Sequence, residues 1–332
     1  MKKHEMIWSC LLHLGANMWQ DKYAPVGPND FHSTKYSNVY WSDDLRFDRD
    51  IFHKITEKLP GLGMNTVLID VGDGVRYDSH PEIGVNGALT PDELRDEVRR
   101  LRALGLDPIP KLNFAASHDA WLGEYERMLS TDIYRTVVGD LIHEVCEIFE
   151  GPTHFHLGLD EEAATNQAAY GYSVIRGEEL WLRDFYHMVD CCERENTRPW
   201  MWSDHFYYKP HLFEKKIPKT VLQSNGHYWG LQGPEGDKGV NGYRYRAFFK
   251  LDELGFDQVP VVTTYATHSN AFQITEHLAR EKMGSICGFM SAAWMLTYPV
   301  NYYDILGDAA RLGDARNHFE KDFPRYVAEG SN

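Results

Sequence analysis

The chain has 332 residues, 43% of them hydrophobic, and a formal charge of −15. That acidic balance excludes nucleic acid and anionic membrane as expected partners, and no apolar run approaches the ~20 residues that span a bilayer. The five cysteines, Cys10, Cys146, Cys191, Cys192 and Cys287, are odd in number and match neither a zinc ribbon nor a disulfide scaffold, so buried free thiols are expected. The start of the chain lacks a signal-peptide pattern and reads as cytoplasmic, although a removed leader would leave the same start. Aromatic residues make up 13%, with 9 Trp and 19 Tyr, many in polar surroundings. They suit sugar faces, or the filling of a large core.

The first expected strand is 6–14. Ile51, Phe52, Ile55 and Leu59 recur at helical spacing over 50–59, and Gly61 and Gly63 end that helix. Thr66-Val-Leu-Ile-Asp70 follows as a strand. Thr90-Pro-Asp-Glu93 combines an N-cap, a proline at the first helical position and the glutamate of a capping box. That helix should stop at Gly105, before a strand over 107–113. Thr131 caps a helix with Ile133, Val137, Leu141, Val145 and Ile148 on one face. Thr153-His-Phe-His-Leu157 is the fourth strand. A helix over 178–194 precedes a strand at 198–203, and 220–224 is the sixth. A helix over 243–254 ends at Gly255, before a strand at 258–264. Ser269 caps a helix to Met283, 286–291 is the eighth strand, and a helix over about 303–316 closes the series.

Eight strands alternating with helices imply parallel pairing through crossovers, and eight closes a barrel. The expected fold is therefore a single (β/α)8 barrel over 1–332, with strands near 6–14, 66–71, 107–113, 153–158, 198–203, 220–224, 258–264 and 286–291. A doubly wound open sheet is the rival, but Gly15-Ala-Asn-Met18 does not fit a dinucleotide-binding turn. No linker or second domain is visible.

A barrel of this kind carries its site at the C-terminal ends of the strands. Those ends are dense in polar and aromatic residues: Asn17 and Trp19; Asp70, Asp73, His80 and Glu82; Lys111, Asn113 and His118; Asp160, Glu161 and Glu162; Trp202, Asp204 and His205; Asn225, His227 and Trp229; Tyr265 and His268; Trp294 and Tyr298. The sharpest segment is His154-Phe-His-Leu-Gly-Leu-Asp-Glu-Glu162. Three adjacent acids at one strand end repel one another, so one should hold a proton near neutral pH, as a general acid must. The plainer alternative is that Asp160 caps the next helix and the glutamates favour its dipole. Lys111 is expected to pair with Asp70 rather than to act as a nucleophile. Trp200 is expected inside the barrel, with Trp202 near the rim.

Glycoside hydrolysis usually takes two carboxylates, the second often from another strand, yet strand seven ends in Thr263-Thr-Tyr-Ala-Thr267. That favours a substrate-supplied nucleophile, as a 2-acetamido sugar offers. Asp160 would then orient the acetamido group, Glu161 would protonate the leaving oxygen, and Tyr265 would hydrogen-bond the acetamido carbonyl.

At this point the residues resemble the catalytic barrel of the family 20 glycoside hydrolases, the β-N-acetylhexosaminidases. Phe155-His-Leu-Gly-Leu-Asp-Glu161 is similar to that family's His-x-Gly-Gly-Asp-Glu motif. Pro110 to His118, Trp200-Met-Trp-Ser-Asp204, Tyr265 and Gly288-Phe-Met-Ser-Ala-Ala-Trp294 resemble further segments in order. The resemblance implies an exo-acting, retaining, substrate-assisted hydrolase without cofactor or metal. Asp160 and Glu161 would be catalytic, and Asn113, His118, Trp202, Asp204, Trp229, Tyr265 and Trp294 would bind a carbohydrate substrate. The departures are Leu159 for the motif's second glycine, Thr267 and Leu296 for two acids, and no match for the strand-one arginine. They touch sugar specificity more than the catalytic pair.

Two other classes stay open. A metal-dependent barrel hydrolase or isomerase would draw on His80, His118, His205, His227 and His268. A carbohydrate-binding barrel without catalysis would explain the missing acids. Aromatics near strand ends leave room for a homodimer.

Overall fold

The computed structural model describes residues 5–23, 39–229, 231 and 240–326. Eight strands form the sheet: β1 (Ile7–His13), β2 (Thr66–Asp70), β3 (Asp107–Lys111), β4 (His154–His156), β5 (Arg198–Trp202), β6 (Leu222–Ser224), β7 (Val261–Val262) and β8 (Gly288–Leu296). All pairs are parallel, in the order β6-β5-β4-β3-β2-β1-β8-β7. Isolated bridges Gln223↔Gln258 and Gly226↔Val261 bring β6 against β7 and close the ring. This is the (β/α)8 barrel that the alternation predicts.

Leu11, Leu68, Ile109, Trp200, Leu222, Val261 and Met290 fill the barrel interior, while a larger apolar layer packs between sheet and helices. Above the interior, register places His13 beside Asp70, Asp70 beside Lys111, and Lys111 beside His156. Lys111 Nζ donates to Asp70 Oδ2, with both side chains 1% exposed. Burial alone would raise the Asp70 pKa, but Lys111 and His13 outweigh it and hold it below the ordinary value. The pairing expected for Lys111 is therefore present, in a place where a lone charge would be costly.

The helices are α1 (Arg49–Thr56), α2 (Pro91–Ala103), α3 (Asp132–Ile148), α4 (Glu178–Arg194), α5 (Asp204–Tyr208), α6 (Pro210–Lys215), α7 (Val240–Glu253), α8 (Asn270–Arg280) and α9 (Tyr302–Asp322). Thr90 and Thr131 accept from the backbone N–H of the third residue of α2 and α3, and Glu93 completes the capping box. Ser269 differs. It sits at ψ 4 rather than in the extended region and makes no capping bond. The next residue, Asn270, reaches away instead, accepting from Thr263 N and donating to the His227 carbonyl.

That bond also helps end β7 at Val262 where the strand was expected to reach 264, while before Val261 only isolated bridges form, at Gln258. The amides of Thr263 and Thr264 go to the Asn270 and Asp308 side chains, not to a neighbouring strand. α9 runs on to Asp322 because the buried Phe319 packs edge-on against Trp8, with ring centroids 5.7 Å apart. No helix among the described residues is long and apolar enough to cross a membrane.

Candidate active site

A pocket opens at the C-terminal ends of the strands. It is lined by Trp19, His118, Asp160, Glu161, Trp202, Asp204, Gly226, Tyr228, Arg244, Tyr265 and Trp294. Its acidic wall comes from the turn after β4. The Gly158 N–H donates to His156 Nδ1 at 3.1 Å, and the chain then turns through left-handed φ at Gly158 (71°), Leu159 (70°) and Glu161 (53°). Leu159 stands where the resembled motif has glycine, yet it adopts the glycine-favouring conformation. Strain of this kind gathers at functional sites.

Gly158 is packed against Asn113. A Cβ at 158 would lie 2.0 Å from Asn113 Oδ1 and 2.7 Å from its Cα. Asn113 Oδ1 accepts from Leu159 N at 3.3 Å and Ala115 N at 3.2 Å, while its Nδ2 donates to Asp160 Oδ1 at 2.9 Å. So Asn113, expected on the pocket wall, lies buried behind it and holds Asp160.

His118 flanks the pair. Its Nδ1 is 3.5 Å from Asp160 Oδ1 and its Nε2 is 3.9 Å from Glu161 Oε2. Ser117 Oγ lies 2.9 Å from the same Nδ1 and donates to the Asp160 carbonyl. Burial, only partly opposed by Asp160, holds the imidazole below its usual pKa. Trp19 meets the His118 ring edge-on at 6.0 Å.

Glu161 is 44% exposed at the pocket surface. Burial of its carboxyl, then the neighbouring Asp160 and Asp204, push its pKa up to about 7, with Arg244 opposing. Asp204, in the first turn of α5, is raised to about 6 by burial and by Asp160, against Arg244. The third acid of the run is absent from the pocket lining, although burial, opposed by Arg176, raises its carboxyl as well. Glu162 pairs with Arg176 and accepts from Ala116 N, and Arg176 reaches on to the fully buried Asp184. The cluster of three adjacent acids is thus corrected to two, joined by Asp204 from the start of α5, just after β5. The helix-capping reading also falls, since Ala163 and Gly177 occupy the next cap positions.

Trp202 packs on His156 at 4.3 Å and on Trp294 at 5.6 Å, forming an aromatic floor, with Trp200 buried beneath. Trp294 itself sits at φ 54°. Tyr265 stands at the mouth, 75% exposed. Its amide is held by Thr263 Oγ1, and Asp308 holds both threonines. Trp229 lies outside the pocket lining, 39% exposed, and its neighbour Tyr228 takes the wall position. Tyr228 folds back over Gly226, where a Cβ would meet its hydroxyl at 2.6 Å.

Sequence reasoning missed Tyr228 and Arg244. Arg244 had no local signal beyond being a charge in the first turns of a helix. The histidines proposed for metal do not converge. His80 pairs with Glu82 and Asp140, His205 stacks on Trp181, and only His118 of the five lines the pocket. Among the described residues no group of three or more His, Cys, Asp or Glu is placed to hold a metal ion.

No family model matches the sequence, and no curated protein does. Solved structures do match in fold. The β-N-acetylhexosaminidase of Bacteroides fragilis aligns at TM-score 0.62 and 13% identity, over 92% of this chain and 65% of that one. A GH20 catalytic module of the pneumococcal exo-β-D-N-acetylglucosaminidase StrH aligns at 0.60 and 14%, over 96% and 86%. A mutant Streptomyces plicatus β-hexosaminidase in complex with GlcNAc aligns at 0.60 and 12%, over 95% and 68%. The chain also spans 49% of the Flavobacterium johnsoniae chitobiase it matches. The chain is therefore similar in fold, at low identity, to the catalytic barrels of family 20 glycoside hydrolases.

Proposed function

We propose that the protein is a glycoside hydrolase that releases β-linked 2-acetamido sugars with retention of configuration. The observation that carries this is the paired presentation of Asp160 and Glu161 in one aromatic-walled pocket, with the Glu161 carboxyl raised to about 7. A carboxyl poised there is protonated often enough to act as an acid and ionised often enough to act as a base.

In the proposed reaction the acetamido carbonyl oxygen attacks the anomeric carbon while Glu161 gives its proton to the departing glycosidic oxygen. Asp160, fixed by Asn113, accepts the acetamido N–H and offsets the positive charge that forms on the ring-closed intermediate. Water then attacks the same carbon, and Glu161 takes its proton. Trp202 and Trp294 form the floor for the sugar, and Tyr265 contacts the acetamido oxygen once its ring turns inward from the mouth. The strand-seven end offers this tyrosine and no acid, which supports a nucleophile from the substrate.

The test is release of 4-nitrophenol from N-acetyl-β-glucosaminide and N-acetyl-β-galactosaminide beside the plain β-glucoside and β-galactoside, each with and without EDTA. Release from the acetamido sugars alone, unchanged by EDTA, is expected. Comparable release from plain sugars would overturn substrate assistance and favour Asp204 as a protein nucleophile. Loss with EDTA would favour a metal mechanism.

A further inference from the structure

We infer that Arg244 and Asp204 form a clamp that reads the hydroxyl pattern of the sugar, which makes them specificity-determining residues of the pocket. The inference rests on the reading above for one thing only, that the ligand is a sugar.

Among the described residues lining the pocket, Arg244 is the one guanidinium. It comes from α7, across the seam between β6 and β7, and it is held from two sides. Asn225 Nδ2 donates to the Arg244 carbonyl at 2.6 Å, and Tyr207 Oη donates to Asn225 Oδ1. The guanidinium then lies over the Tyr207 ring, 5.5 Å from its centroid. The first contact fixes the backbone from which the side chain starts, and the second gives the guanidinium a ring to rest on, so part of its freedom is spent before a ligand binds.

The contact with Asp204 is loose. Arg244 Nη2 stands 3.5 Å from Asp204 Oδ1, whereas a well-made charge-assisted bond is about 2.7–2.9 Å. The fork therefore keeps donors, and the carboxylate keeps lone pairs, for a third party. A hydroxyl suits both at once, accepting from the guanidinium and donating to the carboxylate. The rest of the lining divides by chemistry: Trp19, Trp202 and Trp294 are mainly apolar rings, Asp160, Glu161 and His118 belong to the reacting end, and Tyr228 and Tyr265 add neutral phenols beside the one charged pair left for hydroxyls.

Charge decides between a neutral and an anionic ligand group. Three carboxylates, Asp160, Glu161 and Asp204, face one guanidinium. A sulfate or carboxylate on the sugar would meet more like charge than unlike, so neutral hydroxyls are the class that fits.

The test reads binding without turnover, by quenching of tryptophan fluorescence. N-acetylglucosamine, N-acetylgalactosamine and their 3-, 4- and 6-deoxy forms are titrated into the parent protein, Arg244→Met and Asp204→Asn. Thermal melting checks that each variant is folded. Arg244→Lys, which keeps the charge but loses the fork, replaces Arg244→Met if that variant does not fold.

The expected result is that removing one or two of these hydroxyls weakens binding about tenfold or more in the parent, and by less than about threefold in the variants. Equal penalties in parent and variants would overturn the clamp, even if acetamido sugars are hydrolysed. Absence of any penalty in the parent, or of binding to either sugar, would overturn it too. So would tighter binding of the 6-sulfated sugar that disappears in Arg244→Met. Hydrolysis of the aryl glycosides, measured separately, shows whether the functional reading stands when the clamp does not.

Discussion

Gly158→Ala tests whether the turn after β4 builds the site. Two costs follow from the local geometry. Alanine at φ 71° is disfavoured by about 1–2 kcal/mol. Its Cβ would also lie 2.0 Å from Asn113 Oδ1, so the carboxamide must leave. That breaks two long bonds from Ala115 N and Leu159 N, each worth about 0.5–1.5 kcal/mol, and a charged one to Asp160 worth about 1.5–3 kcal/mol. The expected loss is about 4 kcal/mol or more, and for a chain of 332 residues the melting temperature should fall by about 6 °C or more. Activity should fall further than stability, because Asp160 loses the amide that aims it, and small misplacements of a reacting group cost about 100-fold. The assays are thermal denaturation and aryl N-acetylhexosaminide hydrolysis. Asn113→Ala and the double variant complete a cycle, in which the double variant should lose less than the two singles together. A Gly158→Ala protein within about 1 kcal/mol and threefold of the parent, or strict additivity in the cycle, would refute the reasoning.

Other outcomes follow from the same assignments. Glu161→Gln should lose far more activity on substrates with poor leaving groups than on activated aryl glycosides, by about 100-fold or more on the former; equal losses would sink the acid role. The kcat/KM profile should fall as pH rises above about 7, where Glu161 gives up its proton, and Glu161→Gln should lack that limb. The same raised pKa means the fold binds this proton more tightly than the unfolded chain. Its contribution to stability is therefore present in acid and lost as pH rises from the ordinary carboxyl range through about 7, a slope that Glu161→Gln should flatten in pH-dependent melting. Glu162→Gln should cost stability instead, about 3–5 kcal/mol for a broken buried pair, without altering the dependence on leaving group; a changed dependence would place Glu162 in the chemistry.

Much of the barrel is legible in the sequence because its signals are local. Thr90 with Pro91 and Glu93 specifies a helix start within four residues, and the structure builds the full box there. What depends on distant partners is not legible. β7 reads as seven residues of strand, but Asn270 and Asp308 divert its last amides. The three acids of 160–162 look alike in sequence, and only the left-handed turn and Arg176, 14 residues on from Glu162, separate them. Arg244 enters the pocket through folding alone. Trp229 and Tyr228 could not be ranked without knowing which way the chain leaves β6.

The ring of strands is not equally strong around its circumference. β1 and β2 pair at five positions, whereas β6 and β7 meet only at two isolated bridges. Asp160 and Glu161 follow β4, which pairs with β5 at three positions, while Tyr228, Arg244 and Tyr265 straddle the seam. Amide exchange should accordingly be faster at 222–226 and 258–262 than in β1 and β2. Breathing there would let one wall of the pocket adapt to different sugars while the opposite wall keeps its register. For anyone retuning the pocket by laboratory evolution, the seam is the half of the cavity in which to place a library.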